Sequence, residues 1–232
     1  MRVLGLDTAL FSCAAALVEA ERSLAWRREE RLRGHAERLL PMVEEVLAEA
    51  EVGFADIDLM AVTVGPGTFT GLRIGLAAAR GLALALERPL AGVSTLEATA
   101  VAAIEARPEL QDADCLAVIH DARREEVYVE LFAPTAGQGG LSAVRSLRPA
   151  AAVPLDRLAT LLPPGRLVVV GTGVPLIRNF LPPSANVLED RALADPDPRI
   201  IARLGARQWR QMGATPVRPL YLRAPDAKLP PS

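Results

Sequence analysis

The chain has 232 residues and a formal net charge of −2, with 50% hydrophobic and 23% charged residues. This balance is typical of a globular protein that buries a core without disulfide bridges, and it excludes extended disorder and a polyanion-binding surface over the whole molecule. Only 4% of the residues are aromatic, too few for the stacking platforms of single-strand nucleic-acid binders.

The cysteine count and the hydropathy of the chain restrict the cellular compartment in which we expect the protein. Cys13 and Cys115 are the two cysteines, so a disulfide framework and a four-thiolate zinc site are excluded. Asp7 comes too early for a signal peptide, and no charge-free run reaches the ~18 residues of a membrane span. We therefore expect a cytoplasmic protein that makes no membrane contact.

The first half of the chain alternates strand and helix patterns. Apolar runs at residues 3–6 and 13–18 predict a hairpin, and residues 23–33 predict a third, exposed strand. Residues 35–50 have apolar side chains at helical spacing, with glutamates on the opposite face. Residues 59–64 predict a strand that ends at a Gly-Pro-Gly turn.

A second helix is predicted over residues 71–86. It has Gly71, Gly75 and Ala79 at four-residue intervals, which leaves a bare face that another helix could approach closely. Residues 90–93 predict a strand, and Ser94 and Glu97 have the spacing of a capping box for a third helix that ends near residue 106.

The second half of the chain begins with another predicted hairpin. Residues 115–120 and 126–132 predict paired strands, followed by a stretch of low order at the glycines of 137–140. Residues 167–170 predict a buried strand that ends at Gly171-Thr172-Gly173. Asp197 and Pro198 predict the start of the last helix, which Gly213 closes.

These elements predict an N-terminal lobe at residues 1–106, completed by the helix 197–213, and a smaller C-terminal lobe at 107–196. The proline-rich residues 214–232 predict a tail that wraps a surface in extended form or is disordered. From Arg199 onward seven basic residues face one acid. The region of Arg223 and Lys228 could therefore touch an acidic partner or RNA phosphate, with a solvated tail as the default.

Few patterns point to chemistry. The glycine loop at 65–71 lacks the lysine of a phosphate-binding loop, which favours a tight turn and close helix packing. His35 is expected as an exposed first-turn residue, and His120 as a satisfied, partly buried group. No hydrolase motif accompanies either histidine, so a peptidase is a remote alternative.

The opening turn resembles the first phosphate hairpin of the actin, sugar-kinase and heat-shock-ATPase (ASKHA) superfold. Asp7 and Thr8 follow the first strand, with Ser12 across the turn, and Gly171 and Gly173 would be the counterpart in the second lobe. An Asp-Thr pair in a turn commonly satisfies only its own backbone, so we expect at most a vestigial nucleotide site here.

Several segments together resemble the TsaB family of the bacterial tRNA threonylcarbamoyladenosine (t6A) machinery. They are the Asp-Thr of the opening hairpin and residues 35–41, 65–75, 92–96 and 219–223. The resemblance runs in order over almost the whole chain. It implies a two-lobed α/β fold of the ASKHA type, and a dimerisation subunit that serves as a platform for a catalytic paralogue, TsaD.

In that family TsaD transfers threonylcarbamoyl to N6 of the tRNA adenosine 3′ of the anticodon, with a metal held by two histidines four residues apart. Thr95 and Thr99 stand at the corresponding positions of this chain. Alcohols are poor ligands for a catalytic transition metal. The resemblance therefore implies no metal, no cofactor and no catalytic residue in this chain.

The resemblance also implies partners and a surface. It assigns the contact to the N-terminal helices, at Leu39, Val43, Gly71, Arg73, Ile74, Gly75 and Ala78. The expected partners are a TsaD-like paralogue, a TsaE-like ATPase and, through the complex, tRNA; a homodimer through the same patch is expected in isolation. One departure is Glu125, where the family commonly has glycine after Asp-Ala-Arg-x.

An alternative function from a different class stays open at this point. It is an autonomous ATP-dependent transferase or kinase of the same superfold, which would use Asp7 and Gly171.

Overall fold

The predicted opening hairpin forms the middle of a five-stranded sheet in the computed structural model, which describes residues 1–138, 140–190 and 193–223. The strands are β1 (Arg2–Asp7), β2 (Ser12–Glu19), β3 (Arg22–Glu30), β4 (Leu59–Gly65) and β5 (Leu90–Ser94), in the order β3-β2-β1-β4-β5. β1 pairs antiparallel with β2 and parallel with β4. The five predicted strands of this half are confirmed, although β3 ends three residues before the predicted end.

Helices cover both faces of this first sheet. Helices α1 (His35–Glu49) and α2 (Phe69–Ala85) pack on one face, and α3 (Thr95–Ala106) and the last helix, α6 (Pro198–Met212), pack on the other. Successive residues of a strand point to opposite faces, so Leu4 lies in the core under α1 while Val3 lies under α6. The four predicted helices are confirmed, and α2 begins two residues before the predicted start.

The second sheet has the order β10-β9-β6-β7-β8. Its strands are β6 (Cys115–Arg123), β7 (Glu126–Gln138), β8 (Leu141–Pro154), β9 (Leu167–Val170) and β10 (Asn186–Val187). Helix α3 packs on one face, and the short helices α4 (Leu155–Leu158) and α5 (Val174–Ile177) lie on the other. Since α3 touches both sheets, most of its residues are buried, which explains why it is apolar all round.

The predicted stretch of low order after residue 132 is wrong. β7 continues to Gln138 and pairs with β8, a strand that the sequence pattern did not predict; Gly139 lies outside the described residues. Contacts from other elements hold this hairpin in place. Arg203 of α6 donates to the Gly140 carbonyl at 2.6 Å, and Glu105 of α3 accepts from the Ser142 amide at 2.7 Å.

The capping signals are confirmed at one helix and only half fulfilled at the other. The Asp197 side chain accepts from the Arg199 amide at 2.8 Å, and Gly213 closes α6 at φ +66°. Ser94 accepts from the Glu97 amide at 3.4 Å, but the Glu97 carboxylate does not return to the cap. It accepts from Arg207 at 2.9 Å instead, because a guanidinium is a stronger partner for a carboxylate than an amide.

The β6–β7 turn shows what the departure at Glu125 means for the backbone. Arg124 and Glu125 both have left-handed backbone angles, φ +55° and +62°. A side chain in this region costs about 1–2 kcal/mol, which glycine avoids. The turn therefore keeps the left-handed shape that suits a glycine, without having one.

The described part of the tail, residues 215–223, crosses the molecule in extended form. The Leu220 amide donates to the Val64 carbonyl at 2.7 Å, and Arg80 donates to the Val217 carbonyl at 2.7 Å. Arg223 then reaches the second sheet and pairs with Glu126 at 3.2 Å. Lys228 and the rest of the tail lie outside the described residues.

Two helix glycines should respond oppositely to alanine. A Cβ at Gly205 of α6 would lie 2.4 Å from the Ala61 Cβ, whereas nothing lies within 4 Å of one at Gly81 of α2. We expect Gly205→Ala to lower the free energy of unfolding by about 1–3 kcal/mol and Gly81→Ala to raise it by about 0.5–1 kcal/mol, as measured by urea denaturation. Equal effects in both variants would contradict the close contact of α6 with the first sheet.

Candidate functional site

An apolar groove runs between α1 and α2 on the outer surface. Its volume is about 480 Å³. Leu40 and Phe69 are 46% and 45% exposed at its walls, an unusual position for large apolar side chains. The residues that line it are Ala36, Leu39, Leu40, Phe69, Thr70, Arg73, Ile74, Ala77 and Ala78. We refer to this surface as the α1–α2 groove.

The glycine face of α2 points away from this groove, into the molecule. The Thr8 hydroxyl donates to the Gly71 carbonyl at 2.7 Å, and a Cβ at Gly71 would lie 2.0 Å from the Thr8 carbonyl oxygen. A Cβ at Gly75 would lie 2.7 Å from the Thr8 Oγ1. The prediction that this face accepts another helix is therefore wrong, because the chain's own β1–β2 turn occupies it.

The structure divides the seven predicted contact residues into two groups. Leu39 and Val43 are 1% and 0% exposed in the core beneath α1, and Gly71 and Gly75 are buried against Thr8. Val43, Gly71 and Gly75 do not line the groove, which corrects the prediction for these three, whereas Leu39 forms part of its floor. Arg73, Ile74 and Ala78 line the groove, as an outer contact surface requires.

An aromatic cluster at one end of the groove was missed by sequence reasoning. The Arg73 guanidinium lies 3.7 Å from the centroid of the Phe69 ring, and the Phe69 and Tyr221 rings are 5.3 Å apart. Both aromatic residues lie in the segments that carried the family resemblance. No periodic pattern could join them, because Tyr221 arrives from the far end of the chain.

Asp7 lies inside the protein, at the end of β1. Its Oδ1 accepts from the Thr63 hydroxyl at 2.6 Å and from the Ala9 amide at 3.1 Å, while Oδ2 has no partner among the described residues. Burial raises the pKa of Asp7 to about 7, with a smaller contribution from the negative charge of Asp195. The carboxyl is thus enclosed, and its charge is only partly compensated.

The other residues of the predicted vestigial nucleotide site contribute to packing inside the protein. Thr8 and Ser12 are buried, and the Thr8 hydroxyl is already used by α2. A Cβ at Gly171 would lie 2.3 Å from the Ile119 carbonyl oxygen, and one at Gly173 3.1 Å from the same atom. The two glycines therefore let the loop after β9 pack onto β6.

Thr95 and Thr99 belong to a hydrogen-bonded chain centred on His120. The Thr99 hydroxyl donates to the Thr95 carbonyl at 3.0 Å and lies 3.1 Å from His120 Nε2. The Thr172 amide donates to Nδ1 at 3.3 Å, which assigns the ring proton to Nε2. Burial lowers the pKa of His120 to about 3, so the ring is neutral. The side chain is satisfied, as predicted, but it is fully rather than partly buried.

His35 is mostly buried, contrary to the exposed position predicted for it. It begins α1, and burial lowers its pKa. Within residues 1–138, 140–190 and 193–223, no group of three or more His, Cys, Asp or Glu side chains is placed to hold a metal ion.

Comparison with known proteins supports this architecture. A family model described as TsaD, tRNA N6-adenosine threonylcarbamoyltransferase, matches residues 29–165, more than half of the chain. The TsaB protein of Escherichia coli is 41% identical over 133 residues, 55% of this chain and 53% of that protein. A Pseudomonas aeruginosa structure described as similar to peptidase YeaZ has a TM-score of 0.81 at 31% identity, covering 96% of this chain and 99% of that one.

The chain belongs to the TsaB family. The predicted ASKHA-type fold is also confirmed, since a hexokinase of Thermus thermophilus aligns with a TM-score of 0.52 at 16% identity, over 90% of this chain and 100% of that one. In sequence the chain spans about half the length of the curated TsaB relatives it matches. No described helix is both long enough and apolar enough to cross a bilayer.

The buried Asp7 gives this TsaB-family chain a testable pH dependence. Its folded pKa is raised, so its contribution to stability is present at low pH and is lost as the pH rises through about 7. Asp7→Asn mimics the protonated acid. We expect its advantage over the wild type in free energy of unfolding to grow by about 2–3 kcal/mol from pH 5 to pH 8. Urea titrations at both pH values measure this, and a pH-independent difference would contradict it.

Proposed function

We propose that this chain is a non-catalytic subunit of a complex that adds threonylcarbamoyl to N6 of the tRNA adenosine 3′ of the anticodon. It would bind and activate a TsaD-like catalytic paralogue. The observation that carries the proposal is the α1–α2 groove, an exposed apolar surface on a TsaB-family chain. Such surfaces on otherwise polar proteins mark sites of protein association.

The chemistry of the interior supports the non-catalytic part. Thr99, at one of the two positions where the paralogue family has its metal-binding histidines, donates its hydroxyl to the Thr95 backbone carbonyl and lies 3.1 Å from Nε2 of neutral His120. Asp7 is enclosed, with both described donors on one oxygen. Thr99 and Asp7 are therefore used in hydrogen bonds within the protein interior, which supports a role other than catalysis.

Family membership supports a paralogue as the partner. The TsaD family model covers α1 and α2 of this chain, so a TsaD-like protein is expected to have an equivalent helix pair. Two related helix pairs can meet about a pseudo-twofold axis, in which each presents the same patch to the other. An interface of this kind buries roughly 1,600 Å² in total, more than the groove alone provides.

The proposal extends to the other members of the complex. A TsaE-like ATPase would join the assembled pair, and tRNA would be reached only through the complex. In the absence of the paralogue, a second copy of this chain would occupy the same groove. The membrane is not part of this assembly.

A charge placed in the groove tests the contact. Ala77 is exposed and lines the groove, whereas Ala85 is exposed on the same helix outside it. We expect Ala77→Arg to weaken binding of the TsaD-like paralogue at least ~10-fold, because an arginine there blocks apolar packing. Ala85→Arg should leave binding unchanged. Co-elution and calorimetric titration measure both, and equal affinity of the two variants would refute the groove as the interface.

The alternative, an autonomous ATP-dependent transferase or kinase, makes the opposite prediction for Asp7. If this chain is not catalytic, Asp7→Asn should retain tRNA modification by the reconstituted complex within about twofold, because the amide keeps the acceptor for Thr63 and Ala9. A kinase that uses this carboxylate would lose orders of magnitude in rate. Counting modified adenosines per tRNA distinguishes the two.

A further inference from the structure

The C-terminal segment places an aromatic side chain beside the α1–α2 groove. The Tyr221 ring lies 5.3 Å from that of Phe69, and Arg73 Nε donates to the Tyr221 hydroxyl at 3.4 Å. Phe69 and Arg73 themselves line the groove. Tyr221 is 41% exposed, so the apolar surface of the groove continues across its ring. We call Phe69, Arg73 and Tyr221 the Tyr221 patch.

Hydrogen bonds on both sides of Tyr221 hold it in place. The Leu220 amide donates to the Val64 carbonyl of β4 at 2.7 Å, and the Arg223 guanidinium donates to the Ala122 carbonyl of β6 at 3.1 Å. The segment is thus anchored to both sheets. A side chain that is held in its exposed position before binding loses less conformational entropy when a partner covers it. The ring is therefore preorganised for a contact.

Arg73 is the charged member of the patch. Its guanidinium lies 3.7 Å from the Phe69 ring centroid, an arrangement that orients the cation over the apolar surface. Arg73 is exposed, and no carboxylate of the described residues forms an ion pair with it. Arg38 of the neighbouring helix α1, in contrast, pairs with both Glu29 and Glu45. The patch therefore presents an oriented cation without a counter-ion in the described part of the chain.

The area and charge of the patch determine what can cover it. A stable interface buries about 800 Å² on each partner, more than the groove alone provides. The Tyr221 patch adds to the groove without a break, because Phe69 and Arg73 belong to both. A partner seated in the groove would also take Arg73 out of water. A buried cation that has no counter-charge is costly, so the partner has to bring a carboxylate.

We propose that the Tyr221 patch is a second part of the surface that binds the TsaD-like paralogue. A carboxylate of the paralogue pairs with the Arg73 guanidinium, and an apolar side chain of the paralogue packs on the rings of Phe69 and Tyr221. This inference rests on the proposed function, and it adds the C-terminal segment to the interface and a defined charge to the partner. Tyrosine and arginine are enriched among the residues that dominate binding energy.

An exposed aromatic residue elsewhere on the chain provides a matched control. Trp26 of β3 is 39% exposed and stacks with Arg199 of α6 at 4.3 Å, on the face of the first sheet opposite α1 and α2. In calorimetric titration of the full chain with the paralogue, we expect Tyr221→Ala to weaken binding at least ~10-fold. Trp26→Ala should leave the affinity unchanged. Equal affinities of the two variants would overturn the proposal.

The salt dependence of binding tests the predicted carboxylate. We expect Arg73→Gln to weaken binding at least ~10-fold at low salt and to reduce the loss of affinity between about 50 and 500 mM NaCl, because the ion pair is absent. A salt dependence equal to that of the wild type would refute the carboxylate. Arg73 is exposed, so this variant also serves if Tyr221→Ala proves to be unfolded in urea titrations.

Two further results separate this inference from the proposed function. If Ala77→Arg in the groove abolishes binding and Tyr221→Ala does not, the groove remains the interface and the Tyr221 patch is refuted. If the wild-type chain does not bind the paralogue, both proposals fail. Self-association of the chain, measured by analytical ultracentrifugation, should be insensitive to Trp26→Ala. A Tyr221→Ala effect confined to self-association would assign the patch to a second copy and overturn the inference.

Discussion

The contact between α2 and the β1–β2 turn determines where the surfaces of this protein lie. Gly71 and Gly75 let the helix backbone come within hydrogen-bond distance of Thr8, with the Thr8 hydroxyl on the Gly71 carbonyl at 2.7 Å. Any side chain at these two positions would push the helix off the sheet. The same contact turns Arg73, Ile74 and Ala78 outward, so the groove exists because the glycines face inward.

Burial of the turn has a chemical consequence. A carboxylate such as Asp7 can work on phosphate only if solvent, metal or ligand reaches it, and here α2 and the neighbouring strands enclose it. This burial raises its pKa to about 7. His120 shows the same effect with the opposite sign, since burial keeps its ring neutral. Burial therefore decides the charge state of both side chains.

Sequence patterns predicted the strands and helices that form local units. They failed where contacts between residues distant in the chain determine the structure. Residues that are neighbours in the sequence determine the hairpin of β1 and β2 and the N-terminal cap of α6. β8 is held by Arg203 and Glu105, which no local pattern contains. The bare face of α2 was recognised correctly as a close-packing surface, but its partner could not be identified, because helical spacing marks a face without saying which element packs on it.

The buried carboxylates show the limit of motif reasoning most clearly. Asp195 belongs to no motif, and its neighbour in the chain, Asp197, has the more conspicuous role as a helix cap. Only the fold brings Asp195 close enough to Asp7 for its negative charge to help raise the pKa of that carboxyl. A pattern of consecutive residues cannot predict this coupling, because the two residues lie near opposite ends of the chain and meet only after both have been buried.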